Sequence, residues 1–323
     1  MSRKDSTDTA DTRSEADSYE DRRDETPSPI LATGSLLLGT GGEGSLRWAI
    51  TDLTPVLEVA RNRLDLGPVS SAALGRTMAG SVLLLRMALK TPSRLLLEIR
   101  GDGPIGQVLA EADADGNVRG TVGDPRVDVP SRPDGKLNVG AAVGSGMLRV
   151  LREQEGEHGA GQDGRRYHSQ VELVSGEIGE DLAYYLVQSE QTRSAVSLGV
   201  LAKPHGIAAA GGLIIELLPD AGEEVVARLE TNLAGIGGIS HLLEELSLED
   251  ALGRLLAGLP YEVLEQRPIH YRCRCSRERL LAHLRALAER EDDLAPESGE
   301  DLTAECAFCG EIYRFAPEEI GAG

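Results

Sequence analysis

The chain is poor in aromatic side chains and almost free of lysine. Its 323 residues include one Trp, two Phe and seven Tyr, so burial must come mainly from Leu, Val, Ile and Ala. Basic charge is in deficit: 33 Lys plus Arg stand against 53 Asp plus Glu, a net charge of −20. That balance excludes a protein that tracks a phosphate backbone, which needs a basic footprint. No apolar run reaches the length of a membrane-spanning helix. The first residues carry charges but no apolar core of a secretory signal, so the cytoplasm is the expected compartment, where thiols stay reduced. No phosphate-cradling P-loop is present, and Gly39-Thr40-Gly41-Gly42 follows no clear strand, so it reads as a flexible linker. No kinase, hydrolase or dinucleotide signature appears, and the chain is not expected to be an enzyme. Hydrophobic residues at 41% are nonetheless enough for a buried core.

Cysteine is scarce and unevenly placed. All four, Cys273, Cys275, Cys306 and Cys309, lie in the last 51 residues, as C-x-C, a 30-residue spacer and C-x-x-C. In a reducing compartment two close pairs read as a metal site before a disulfide framework. Four thiolates satisfy tetrahedral Zn²⁺ and leave no open position for water or substrate, which argues against hydrolytic zinc chemistry. The segment 263–323 is small and polar, with 8 Arg and 13 Asp plus Glu, a net −5, so a zinc module here is not expected to bind nucleic acid. A piece this size needs a staple, and structural zinc supplies about 10–16 kcal/mol of apparent binding energy that is also folding energy. Thiolates are the oxidisable form of cysteine, so sulfur oxidation would remove both the metal and the fold. Arg272, Arg274, Arg277 and Arg279 surround the first pair, either to offset thiolate charge or as a solvated helix start. Phe308 and Phe315 are expected to form a miniature core behind the metal. His270 and His283 flank the site but are not needed as ligands.

The rest of the chain reads as α+β. Residues 1–29 are an acidic tail expected to be disordered. Ser45–Val59 has mixed spacing with room for a strand. Ser70–Lys90 has a wide apolar stripe (Leu74, Met78, Val82, Leu85, Leu89) and reads as a principal buried helix. Leu95–Arg100, Gln107–Glu111 and Val118–Val122, separated by Gly101–Pro104 and Asp115-Gly116 turns, read as an antiparallel meander. Met147–Leu151 and Tyr167–Val174 form a second strand pair around a charged loop, Glu153–Arg166, expected to be mobile. From Gly176 the pattern is largely helical: Gly179–Gln191, Glu223–Leu233 and a helix opened by the capping box Ser247-Leu248-Glu249-Asp250, with one strand at Gly211–Leu218. Ser276 is expected to cap a helix carrying Leu280, Leu281, Leu284 and Leu287.

These segments together resemble a known family, the redox-regulated, thirty-three-kilodalton zinc-binding heat-shock chaperones of bacteria. The tail carries the likeness most specifically, in Cys273-Arg274-Cys275-Ser276-Arg277-Glu278-Arg279, Cys306-Ala307-Phe308-Cys309 and Tyr313-Arg314-Phe315. Similar segments upstream are Leu74-Gly75-Arg76, Ile99-Arg100-Gly101-Asp102-Gly103-Pro104, Val118-Arg119-Gly120, Ser175-Gly176-Glu177-Ile178, Asp181-Leu182-Ala183-Tyr184-Tyr185-Leu186, Ser189-Glu190-Gln191 and Ala210-Gly211-Gly212. The likeness runs from about Leu46 to Phe315. The acidic tail and the Gly-rich loop near Gly159 are departures from the family.

The resemblance implies a substrate-binding α/β core with antiparallel strands over 30–177, a mainly helical linker over 178–262, and a zinc redox switch over 263–323. It implies an ATP-independent holdase, inactive while Cys273, Cys275, Cys306 and Cys309 hold one zinc ion. Oxidation is then expected to form the Cys273–Cys275 and Cys306–Cys309 disulfides, release the zinc, unfold the tail and expose apolar surface to unfolding client proteins. A homodimer of the oxidised form is also implied. Two other classes fit the cysteines: a static zinc-ribbon interaction protein, and a thiol-disulfide oxidoreductase using Cys306 and Cys309. The second lacks the expected strand-to-helix setting for its C-x-x-C.

Overall fold

A computed structural model describes residues 29–88, 92–154, 165–288 and 301–321. The tail over 1–28, Leu89 in the helix stripe and residues 155–164 of the charged loop lie outside the described residues.

The chain opens with strands β1 (Ala32–Gly41) and β2 (Leu46–Asp52), then helices α1 (Thr54–Leu64) and α2 (Pro68–Met87). Strands β3 (Arg94–Gly101), β4 (Gln107–Asp113) and β5 (Asn117–Val122) follow, then a short α3 (Val139–Val143) and the pair β6 (Gly146–Gln154) and β7 (Arg165–Glu172). Next come α4 (Gly179–Gln188), the hairpin β8 (Ser194–Lys203) and β9 (Gly206–Leu217), and helices α5 (Glu223–Ala234), α6 (Ile239–Glu245) and α7 (Leu248–Leu255). The final elements are β10 (Tyr261–Tyr271), α8 (Arg277–Ala288), β11 (Leu302–Glu305), β12 (Ile312–Phe315) and α9 (Pro317–Ile320).

Ten strands make one mixed sheet in the order β7-β6-β3-β4-β5-β10-β1-β2-β9-β8. The meander shows the alternation expected of a half-buried sheet: Leu95, Leu97 and Ile99 on β3, and Val108, Ala110 and Ala112 on β4, are buried, while their neighbours are less so. One face packs on α1, α2 and α4, with Leu57, Leu74, Met78 and Tyr185 in its core. The other face, over β1, β2 and β9, is covered by α5–α7, whose Leu229, Leu242, Leu252 and Leu255 bury Leu37, Trp48, Ile50 and Ile215. Ser247 caps α7 by accepting from the Asp250 amide at 3.1 Å, as its sequence indicates.

Two expectations need correction. The Gly39–Gly42 stretch is not a linker, because Gly39 and Gly41 lie inside β1. A Cβ on Gly39 would sit 1.9 Å from the Glu262 carbonyl and 2.5 Å from the Trp48 ring, so glycine here permits a close strand approach rather than flexibility. The stretch 178–262 holds the three expected helices, α4, α5 and α7, but α6, β8 and the first half of β9 are not marked in the sequence pattern. Ser194–Lys203 is apolar on both faces and lacks the alternation that marks a strand. The boundary expected at residue 263 falls inside β10, which pairs with β1 along its whole length and with β5 only at His270 and Tyr271.

Candidate metal centre

Strand β10 delivers the first cysteine pair. It ends at Tyr271, Arg272 donates its amide to the Val118 carbonyl at 3.3 Å, and Cys273 and Cys275 follow before α8 begins. Ser276 accepts from the Arg279 amide at 3.2 Å and starts that helix, as expected. The second pair sits in the tight turn of the β11–β12 hairpin. The Cys309 and Gly310 amides both donate to the Cys306 carbonyl, at 3.2 and 2.8 Å, and the Cys306 amide donates to the Glu311 carbonyl at 2.9 Å. Gly310 has φ +66° and packs so closely on α1 that a Cβ would lie 2.5 Å from the Arg63 carbonyl.

The fold brings all four expected sulfurs together, within 4.8 Å of one another. Cys273 Sγ lies 3.7 Å from Cys306 Sγ, and Cys275 Sγ 3.4 Å from Cys309 Sγ. All four are free thiols. Cys273, Cys306 and Cys309 are buried and Cys275 is half-buried. Sulfurs placed tetrahedrally about an ion at the usual Zn–S distance of about 2.3 Å would be about 3.8 Å apart, so this donor set fits a closed four-thiolate site. Among the described residues the ligand cluster includes neither His270 nor His283; His270 Nδ1 instead pairs with Thr33 Oγ1 at 3.0 Å.

The sulfurs perturb one another. The Cys273 thiol is held far below its ordinary range by hydrogen bonds from Cys306 and Cys309, with help from Arg119. The same contact with Cys273 pushes Cys306 up to about 11 and drives Cys309 upward. Burial raises Tyr271 and Tyr313, and Tyr313 Oη donates to Cys275 Sγ at 3.2 Å. A cluster in which one sulfur readily carries charge is ready to take a cation.

Two of the four arginines beside the first pair, Arg274 and Arg277, are engaged with carboxylates. Arg274 pairs with Glu111, Arg277 grips Glu319 at 2.7 Å and covers the Phe315 ring, and Arg279 donates to the Arg274 carbonyl. Arg119 of β5 reaches a sulfur directly: its Nη1 donates to Cys273 Sγ at 3.5 Å. Its place in Val118-Arg119-Gly120, a segment shared with the family, was the one signal available. Arg63 of α1 was also unforeseen; its Nε donates to the Cys309 carbonyl at 2.6 Å and its Nη2 to Glu311. Phe308 is half-buried against the thiols, as expected of a small core around them, whereas Phe315 is fully buried but lies outside that cluster, under Arg277.

A broad mixed sheet covered by helices on both faces, extended by a small unit with four converging thiols, defines an α+β protein with a C-terminal metal-type centre. The family model described as Hsp33 protein matches residues 35–316. A 33 kDa chaperonin of Thermus thermophilus is 48% identical over 300 residues, 89% of this chain and 85% of that protein. The 33 kDa chaperonin of Symbiobacterium thermophilum is 45% identical over 88% of this chain and 95% of its own length. The crystal structure of the 33 kDa chaperonin (heat shock protein 33 homolog) from Thermotoga maritima superposes with a TM-score of 0.79 at 33% identity, covering 90% of this chain and 97% of that one. The chain belongs to the Hsp33 protein family. No helix among the described residues is long and apolar enough to cross a membrane.

Proposed function

We propose that this chain is a redox-regulated, ATP-independent holdase of the cytoplasm, without enzymatic turnover. Cys273, Cys275, Cys306 and Cys309 would hold one Zn²⁺ in the reduced protein. When bound, the ion supplies the charge closure and folding energy that four buried thiolates need. Oxidation converts the four thiolates into two disulfides, Cys273–Cys275 and Cys306–Cys309. The four electrons pass to two molecules of hydrogen peroxide, which take up four protons and leave as four waters. No thiolate then remains to hold the metal.

One observation carries this reading. Between Arg272 and Gly321 the buried residues among those described are Cys273, Cys306, Cys309, Phe315 and Ile320. Helix α8 buries no residue completely. Three of five buried side chains are therefore the sulfurs themselves, and a unit with so little apolar burial depends on its centre for stability. Its loss removes the tie at the Tyr271 end of β10, and that strand touches the cover over Trp48 at its other end: Tyr261 packs edge-on against Trp48 at 6.2 Å, and Gln266 reaches Glu249 of α7. We assign client binding to the sheet of the 30–177 segment and to the apolar faces of α5–α7 within 178–262, and the switch to 263–323. A homodimer is the assigned active form.

Light scattering from a heat-denaturing client tests this. Suppression of scattering is expected only after treatment with peroxide and mild heat, and is expected to fade when a thiol reductant is restored. Equal suppression by the reduced and the oxidised protein would overturn it, as would catalytic turnover in a disulfide-reduction assay.

A further inference from the structure

Glu111 on β4 gathers three guanidinium groups. Its Oε2 accepts from Arg119 Nη2 at 3.2 Å, its Oε1 pairs with Arg274, and Arg94 Nε lies 3.7 Å from the same oxygen. Arg94 also meets Glu153 at 3.0 Å, Glu153 in turn pairs with Arg166, and Asp113 acts on Arg274, so Arg119 sits within a network of charges of both signs. Arg119 is the member that faces the thiols. Its side chain is 15% exposed, its Nη1 donates to Cys273 Sγ at 3.5 Å, and its guanidinium carbon lies 4.3 Å from the centre of the Phe308 ring. Cys273 belongs to the first cysteine pair and Phe308 to the turn of the second, so one side chain touches both halves of the centre. A buried cation is stable only beside negative charge, and for Arg119 that charge comes from Glu111 on one side and from the sulfur on the other.

We propose that Arg119 is a positioning residue for the thiol centre: its positive charge offsets the negative charge of the thiolates and holds them against β5, and so sets how readily oxidant or a competing chelator opens the site. The proposal rests on the redox reading given above. The fold offers its own control. Arg63 also bolts the centre to the core, but through the Cys309 carbonyl and Glu311 rather than through a sulfur. If docking alone mattered, losing either arginine would have the same effect. If a cation bonded directly to sulfur matters, Arg119 counts most, because Arg63 feels the Cys309 charge without a bond to its sulfur, and a lysine in place of Arg119 retains most of the effect.

The test uses the full-length, reduced, zinc-loaded protein and three variants, Arg119→Met, Arg119→Lys and Arg63→Met. Two rates are followed: loss of free thiols to hydrogen peroxide, and transfer of zinc to a chromogenic chelator. Arg119→Met is expected to speed both by about tenfold, the scale of one charge-assisted hydrogen bond. Arg119→Lys is expected to stay within about threefold of the parent protein and Arg63→Met within about twofold, on the same scale. Rates for Arg119→Met within about twofold of the parent overturn the proposal. So does an Arg63→Met variant as fast as Arg119→Met, or an Arg119→Lys variant no slower than Arg119→Met. A parent protein whose thiols survive peroxide overturns the redox reading itself, a result distinct from the others.

Discussion

Tyr271 Oη donates to the Phe308 carbonyl at 2.7 Å, tying the last residue of β10 to the turn that carries the second cysteine pair. The two residues are 37 apart in sequence, and Tyr271 is fully buried. This bond makes the end of a core strand part of the thiol centre.

Removing that hydroxyl leaves a carbonyl without its donor beside the centre. Tyr271→Phe is expected to cost about 1 to 2 kcal/mol. The loss is expected to fall on the C-terminal unit, so amide exchange should rise in β11 and β12 while β3 and β4 stay unchanged. Equal protection in both variants would show that the bond carries no load.

Trp48 is the sole tryptophan, lies fully buried under α7, and donates its indole N–H to the Thr40 carbonyl at 3.0 Å. It reports on whether the α5–α7 cover lifts. On oxidation its emission is expected to shift to the red and to become accessible to a neutral quencher such as acrylamide. An unshifted spectrum in fully oxidised protein would mean that the cover stays in place.

Much of this architecture is legible in the sequence where a single physical signal decides. The alternation in Leu95–Arg100 and the stripe from Leu74 to Leu85 give the meander and α2, and Ser247 and Ser276 mark helix starts through their side-chain oxygens. The four cysteines converge as their spacing indicates. What could not be read depends on distant segments. Gly39 looks like a loop residue until Glu262 and Trp48 crowd it. β8 is apolar on both sides because it is covered from both. Arg119 lies 154 residues from Cys273, and nothing local links them.

Asp181, by contrast, organises its own turn through local bonds. Its buried carboxylate accepts from four backbone amides, those of Val174, Ser175 and Gly176 on Oδ1 and of Ile178 on Oδ2, at 2.7 to 3.2 Å. These bonds hold Ile178 at φ +67° at the start of α4. Asp181→Asn turns an amide NH₂ toward those donors and is expected to cost about 3 kcal/mol in urea unfolding. A loss under about 0.5 kcal/mol would contradict this reading of the turn.

Glu58 supplies a pH dependence. Its carboxyl is lowered from 4.5 to about 2, first by the hydrogen bond from Arg61 and also by the Ile207 amide at 2.8 Å, which ties α1 to the β8–β9 hairpin. Because the folded value lies below the ordinary one, the contribution is present above pH 4.5 and is lost as pH falls toward 2. Glu58→Gln is expected to lower the Tm by about 1 to 3 °C at pH 7 and to converge with the parent protein in strong acid. A difference that grows with acidity would reverse the assignment.

The central claim is that sulfur chemistry decides whether the C-terminal unit has a fold. Amide hydrogen exchange across Leu302–Phe315, read in reduced zinc-loaded protein and again after peroxide has consumed all four thiols, tests it most directly. Protection in the β11–β12 hairpin is expected in the first state and complete loss in the second. A hairpin that stays protected once its sulfurs are bridged and its metal is gone would contradict the account.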